Sequence, residues 1–327
     1  MAQQITQKKI IQEQIMPMLA PGIQRIIQRC SPPTINKTHE IRLRENRPLM
    51  LCWDQGDCML DCQGKVVYWK EKAYTVQRED IQKTLQLTSN YSLYAFEEEL
   101  KNGYLTIPGG HRIGLVGKAV LSRGKIKLQK HITGINIRIT REVTGAGEKV
   151  LPYVLGKNSR VYSTLIISPP QCGKTTLLRD LVRLLSCGKK EFSFPGVKVG
   201  LVDERSEIAG CFQGLPQNDV GIRTDVIDAC PKAQGMMLLI RSMSPQVLAT
   251  DEIGSLEDAL AVEEALKAGV SVLATAHGSN LEEFKKRPGL KKMLEHKIFK
   301  RFIFLGNTRG TGTIEKIWDH EQSKRLL

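Results

Sequence analysis

The sequence predicts an α/β protein: a parallel sheet covered by helices in the second half, preceded by a smaller α+β domain. Three observations carry this. From about residue 160 onward, apolar runs alternate with helical periods, as in a parallel sheet with crossover helices. Before about residue 150 the apolar runs are short and several are glycine-rich, which suits mostly antiparallel strands. Between the two, Thr144-Gly145-Ala146-Gly147 and Gly156-Lys157-Asn158 break the pattern. The expected boundaries are 1–148 for the N-terminal domain, 149–159 for a linker and 160–327 for the second domain.

In the first domain, residues 5–16 read as a helix with Ile10, Ile11 and Ile15 on its apolar face, and Pro17 ends or kinks it. Short β-like runs follow at 40–43, 49–53 and 65–68. Helical stretches are expected at 78–88 and 94–103, then strands at 103–107, 111–121 and 134–139. In the second domain the candidate strands are 161–167, 197–202, 246–249, 270–275, 301–305 and 312–318. Candidate helices are 175–186, 231–242, 256–268 and 281 to about 287. Pro231 suits a first helical position, and Ser255 with Asp258 forms a capping box for the helix at 256.

One stretch points to chemistry. Ser168-Pro169-Pro170-Gln171-Cys172-Gly173-Lys174-Thr175-Thr176 follows the apolar Leu165-Ile166-Ile167 and precedes a helical period. Strand, glycine-containing loop and helix is the context of a phosphate-binding P-loop, whose backbone N–H groups and helix N-terminus cradle an anion. Lys174 is placed to reach the β- and γ-phosphates, and Thr175 to offer its hydroxyl to Mg²⁺. Ser168 stands where the pattern has its first glycine; as a small residue it reads as a tolerated variant.

A P-loop needs partners, and the downstream strand ends supply them. Val247-Leu248-Ala249-Thr250 ends in Asp251-Glu252, as a Walker B strand does; Asp251 is the candidate Mg²⁺ ligand and Glu252 a candidate to orient or deprotonate water. Val202 leads into Asp203-Glu204-Arg205-Ser206-Glu207, and Leu273-Ala274-Thr275 into Ala276-His277. In a parallel sheet these carboxyl ends converge, so the acids and His277 are expected near the phosphates. Asp251-Glu252-Ile253-Gly254 also fits the D-x-x-G of GTPases, but no guanine-reading N-K-x-D follows, so ATP is the expected nucleotide.

Composition bounds the rest. The net charge of +14 suits nucleic acid, an anionic surface or an acidic partner without choosing among them. No run approaches a membrane span, and the first residues lack the apolar core of a signal peptide, so a cytosolic protein is expected. Cys52, Cys58 and Cys62 have spacings that fit no usual zinc pattern.

The order of P-loop, acid box, R-x-x-P segment, Walker B and histidine box resembles the secretion-type ATPases of type II and type IV secretion and pilus systems. Asp203-Glu204-Arg205-Ser206-Glu207 resembles their acid box, Arg241-Ser242-Met243-Ser244-Pro245 their R-x-x-P segment with one extra residue, and Ala274-Thr275-Ala276-His277 their histidine box. Asp251 stands where that family usually has glycine, and Gly254-Ser255 replaces a frequent Arg-Asp. The resemblance implies a RecA-like domain in a homo-hexameric motor, Glu207 as the water-activating base with Glu204 and Glu252 as alternatives, and an arginine stabilising the γ-phosphate. Arg112, Arg138 and Arg141 of the N-terminal domain are the candidates for that arginine, with Arg223 as another.

A narrower resemblance spans most of the chain. Glu40-Ile41-Arg42-Leu43-Arg44, Tyr94-Ala95-Phe96-Glu97-Glu98-Glu99-Leu100, Gly103-Tyr104-Leu105-Thr106-Ile107-Pro108-Gly109-Gly110-His111-Arg112-Ile113-Gly114, Gly221-Ile222-Arg223-Thr224-Asp225-Val226 and Cys230-Pro231-Lys232 are similar to the stage III sporulation protein AA family of endospore-forming bacteria. It implies an ATPase in the mother-cell cytoplasm, recruited to the forespore-facing membrane by integral membrane proteins, that powers a secretion-like channel. The competing expectation is a P-loop ATPase that translocates or remodels nucleic acid; aromatics at 6% are too sparse for the stacking platforms such proteins use.

Overall fold

The computed structural model describes residues 7–53, 56–89, 103–122, 124–140, 143–320 and 323–327. The chain divides into two compact units, Met1–Arg141 and Glu142–Leu327.

The first unit begins with α1 (Gln7–Ile10), a π-helical turn at Ile11–Ile15 and a 3₁₀ turn at Met16–Met18. Pro17 lies in that last turn, where its missing N–H ends the helical ladder. Two short helices, α2 (Pro21–Gln28) and α3 (Pro32–Lys37), each open on proline, whose fixed φ suits a helix start. Strands β1 (Glu40–Arg44), β2 (Met50–Trp53), β3 (Gly56–Leu60) and β4 (Val66–Val67) precede α4 (Arg78–Thr88). Strands β5 (Tyr104–Ile107), β6 (His111–Ser122) and β7 (Lys125–Arg138) complete an antiparallel sheet in the order β4-β3-β2-β1-β7-β6-β5. Residues 94–102, expected as a helix, lie outside the described residues.

Alternation sets this core. Ile41 and Leu43 of β1 are fully buried while Glu40, Arg42 and Arg44 are not, and Ile113, Leu115, Ile135 and Ile137 line the same core. Ile15, Leu19, Ile23 and Ile27 cover it from the helical segments. Strand β7 starts well before the expected residue 134. Its first half pairs only with β6, through partners such as Lys118↔Lys130 and Val120↔Leu128. That ribbon faces no core: its apolar residues Val116, Leu121 and Ile126 are exposed.

The second unit opens on α5 (Leu151–Val154). Val150, Leu151 and Val154 are fully buried in this unit's core, so the segment expected as a linker is packed structure. Strand β8 (Thr164–Ser168) leads to α6 (Lys174–Cys187), then β9 (Val199–Asp203) and β10 (Thr224–Asp228). After these come α7 (Lys232–Met243), β11 (Val247–Thr250), α8 (Leu256–Lys267), β12 (Ser271–His277), α9 (Leu281–Lys285) and α10 (Pro288–Glu295). Strands β13 (Arg301–Gly306), β14 (Thr313–Asp319) and β15 (Lys324–Arg325) end the chain.

The sheet order is β10-β9-β11-β12-β8-β13-β14-β15. All pairs from β10 to β13 are parallel; β14 and β15 add an antiparallel edge. Both faces are covered. Ile166 packs with Leu178, Leu181 and Leu185 of α6, whereas Leu165 and Ile167 point the other way, into the core formed by α7, α8 and α10. β10, absent from the sequence reading, is half-buried at every position and carries no alternation. Ser255 Oγ accepts from Asp258 N at 3.0 Å, as the capping box requires.

Candidate functional site

Strand β8 ends at Ser168, between β12 and β13, and the chain turns through five residues into α6. Two positions of that loop adopt the left-handed conformation, Gln171 (φ 59°) and Gly173 (φ 81°). Ser168 does not. It is 1% exposed, and its Oγ donates to Pro169 O at 2.7 Å. The freedom expected of a glycine at 168 is therefore not called on here.

Lys174, at the start of α6, folds its side chain back over the loop. Nζ donates to Ser168 O at 3.4 Å and Pro169 O at 3.3 Å, and lies 2.8 Å from His277 Nδ1. Burial lowers its pKa, against the opposing charges of Asp251 and Glu252. Next to it, Thr175 Oγ1 donates to Asp251 Oδ2 at 2.7 Å. The second oxygen of Asp251 is hydrogen-bonded to Thr275 Oγ1, which in turn accepts from Glu252 N at 2.9 Å. Glu252 takes φ 50°, a left-handed turn that a non-glycine residue adopts only when its surroundings hold it.

His277 closes the set. Its Nε2 is 2.7 Å from Glu252 Oε1, and the other oxygen of Glu252 is 3.2 Å from Arg205 Nη1. A neutral imidazole satisfies both contacts, accepting from the lysine at Nδ1 and donating from Nε2–H to the carboxylate. The registers Ser168↔His277, Thr250↔Ala274 and Val202↔Thr250 bring these strand ends level.

The acid box is anchored from two sides. Asp203, 2% exposed, accepts from the backbone N–H of Glu207 (2.9 Å), Ile208 (3.0 Å) and Ala209 (2.8 Å). Burial pushes its carboxyl up to about 6, although the backbone donors pull it down. From α6, Arg179 donates Nε to Ile208 O at 2.6 Å and Nη2 to Glu207 O at 2.7 Å. Glu204 is paired with Lys232 of α7. Asp203, Glu204, Glu207, Lys232, Asp251 and Glu252 line one small cleft, together with Arg205.

The structure thus brings together Lys174, Thr175, Asp251, Glu252 and His277, with Glu204 and Glu207 lining the adjoining cleft. Arg112 and Arg138 belong to the first unit, as direct partners on β6 and β7. Arg112 lies 3.9 Å from the Tyr104 ring centroid, and Arg138 is 3.4 Å from Glu40. Arg141 is outside the described residues. Arg223 is committed elsewhere: it donates to Ser186 O at 2.7 Å, near the end of α6 opposite Lys174. The sequence reading missed Thr275 as a bridge, and Arg179 and Lys232 as partners. Thr275 is a polar residue in a fully buried strand, and Arg179 a charged one on a buried helix face; both were visible signals.

The family described as Sporulation stage III, protein AA matches residues 8–326. Stage III sporulation protein AA of Bacillus subtilis (strain 168) is 50% identical over 282 residues, covering 86% of this chain and 87% of that protein. Among solved structures, the pilus retraction motor PilT with bound ADP is similar with a TM-score of 0.53 at 14% identity, over 83% of this chain and 75% of that one. The Yersinia pseudotuberculosis ATPase DotB is similar with a TM-score of 0.51 at 12% identity, over 84% of this chain and 73% of that one. At such identities these two establish a shared α/β fold. Among the described residues, no helix is long and apolar enough to cross a membrane.

Proposed function

The chain belongs to the sporulation stage III protein AA family, and from that premise we propose that it is a RecA-like P-loop ATPase that drives a secretion-like channel between mother cell and forespore. In this reading it works as a homo-hexamer in the mother cell, recruited to the forespore-facing membrane by integral membrane partners. The observation that carries the enzymatic part is the hydrogen-bonded set Lys174, Thr175, Asp251, Glu252 and His277, gathered from the ends of two parallel strands and one helix start.

The donor set fits Mg²⁺. A threonine hydroxyl and a carboxylate already 2.7 Å apart are hard oxygen ligands of the kind that ion takes, so Thr175 and Asp251 would hold it. When bound, Mg²⁺ neutralises charge on the β- and γ-phosphates. The backbone N–H groups of residues 171–175 and the Lys174 ammonium bind the phosphates, since Pro169 and Pro170 have no N–H to offer. Glu207 takes the proton of the attacking water as its oxygen bonds to the γ-phosphorus and the β–γ bridge breaks; Glu204 and Glu252 are the alternative bases. Thr275 orients Asp251, and His277 links Lys174 to Glu252.

Replacing the lysine tests the reading directly. Lys174→Ala abolishes ATP turnover, measured as phosphate release by a variant whose circular dichroism matches wild type. Undiminished hydrolysis overturns the assignment. Stimulation of turnover by DNA or RNA, in a salt-dependent manner, would instead favour a nucleic-acid motor.

A further inference from the structure

The loop joining β13 to β14, residues 307–312, reads Asn307-Thr308-Arg309-Gly310-Thr311-Gly312 and is exposed throughout. It lies directly on the 168–176 loop. A Cβ built on Gly173 would stand 3.3 Å from Gly312 Cα, 3.5 Å from Gly312 N and 3.7 Å from Thr311 Cγ2. The 307–312 loop is held by its own hydrogen bonds. Thr308 Oγ1 donates to Glu315 Oε1 at 2.7 Å, Thr313 Oγ1 donates to Gly310 O at 2.7 Å, and Arg309 N donates to Thr313 Oγ1 at 3.2 Å. Gly310 (φ 108°) and Gly312 (φ 83°) take backbone conformations that favour glycine, and no atom lies within 4 Å of where either Cβ would be. The Arg309 side chain has no hydrogen-bond or ion-pair partner among the described residues. A preformed loop therefore offers open backbone surface beside Gly173 and carries an uncommitted guanidinium three residues before Gly312.

Sheet order says which part of a ligand would meet it. The acids stand at the ends of β9 and β11, and β12 separates them from β8. Strand β13 lies on the opposite side of β8. A nucleotide whose terminal phosphate faces the acids and whose inner phosphates fill the loop must run toward β13 at its other end. We propose that residues 307–312 form the nucleoside subsite, with the planar face of Arg309 stacked on the base and the glycine backbone admitting the close approach. This rests on the reading of residues 168–176 as a phosphate-binding loop.

Titration calorimetry of the full chain with ADP and, separately, inorganic pyrophosphate tests it, because pyrophosphate lacks the nucleoside. Arg309→Ala should weaken ADP binding about ten-fold, the scale of a lost cation–π contact, and leave pyrophosphate binding unchanged. Arg309→Lys keeps the charge but not the plane, and should lose most of the same affinity. Unchanged ADP binding in Arg309→Ala, or equal weakening of ADP and pyrophosphate, overturns the subsite. Lys174→Ala separates the two readings: it should abolish binding of both ligands, and retained pyrophosphate binding there would reject the phosphate loop itself, whatever Arg309 does.

Discussion

Lys174 Nζ lies 2.8 Å from His277 Nδ1, and the same imidazole reaches Glu252 through Nε2 at 2.7 Å. One ring thereby ties Lys174 of the 168–176 loop to Glu252 across the end of β12. The partly desolvated ammonium is held by two carbonyls and this ring. His277→Ala is expected to lower turnover by about a hundred-fold, the cost of a misplaced group in an assembled site, while ADP affinity changes far less. Parallel measurement of kcat and ADP binding checks the split; equal losses in both would make His277 a binding residue.

Glu207 owes its position to Arg179 and Asp203, which grip the carbonyl and amide sides of the same turn. Glu207→Gln is expected to stop hydrolysis and spare ADP binding. Arg179→Leu removes two charge-assisted hydrogen bonds to buried carbonyls, and should cost about 3 kcal/mol of stability. It should also reduce turnover with little effect on ADP binding, as measured by calorimetry. If only Glu252→Gln blocks turnover, the general base is Glu252 instead.

Asp203 should leave a mark on the pH dependence of stability. Its carboxyl is pushed from an ordinary 3.8 up to about 6, so between those pH values the folded protein keeps a proton that the unfolded chain has released. Stability therefore falls as pH rises from about 4 to about 6 and levels off above, with a total on the order of 3 kcal/mol. Asp203→Asn has no such titration. Urea melts of the two proteins at several pH values should show their difference moving across that window; parallel curves would contradict the assignment.

Ser168 was the one departure from the phosphate-loop pattern, and its backbone does not adopt the left-handed conformation that glycine serves. Ser168→Gly is accordingly expected to change ADP affinity by less than about two-fold. A larger gain, measured by calorimetry, would mean that the Ser168 side chain obstructs the phosphates.

Much of the second unit was legible because apolar runs and helical periods are local properties. The strands at β8, β9, β11, β12 and β13 and the helix starts near 174, 232 and 256 were readable to within a few residues. β10 was not, since a half-buried edge strand has no alternation to read. Nor was the first half of β7, which is held by pairing with β6 rather than by a core. Residues 149–159 looked like a linker because Gly145 and Gly147 precede them and Gly156-Lys157-Asn158 closes them, yet Val150, Leu151 and Val154 are buried.

By itself the sequence determined the phosphate-loop motif, the two acidic strand ends and the histidine, because each is written in consecutive residues with its flanking strand. Only the tertiary structure decided which of them touch. The order β9-β11-β12-β8 sets the acids and His277 level with Lys174, and β13 on the far side carries residues 307–312 onto Gly173. Those neighbours are far apart in the chain. Their proximity follows from strand order and register, which no short stretch of residues encodes.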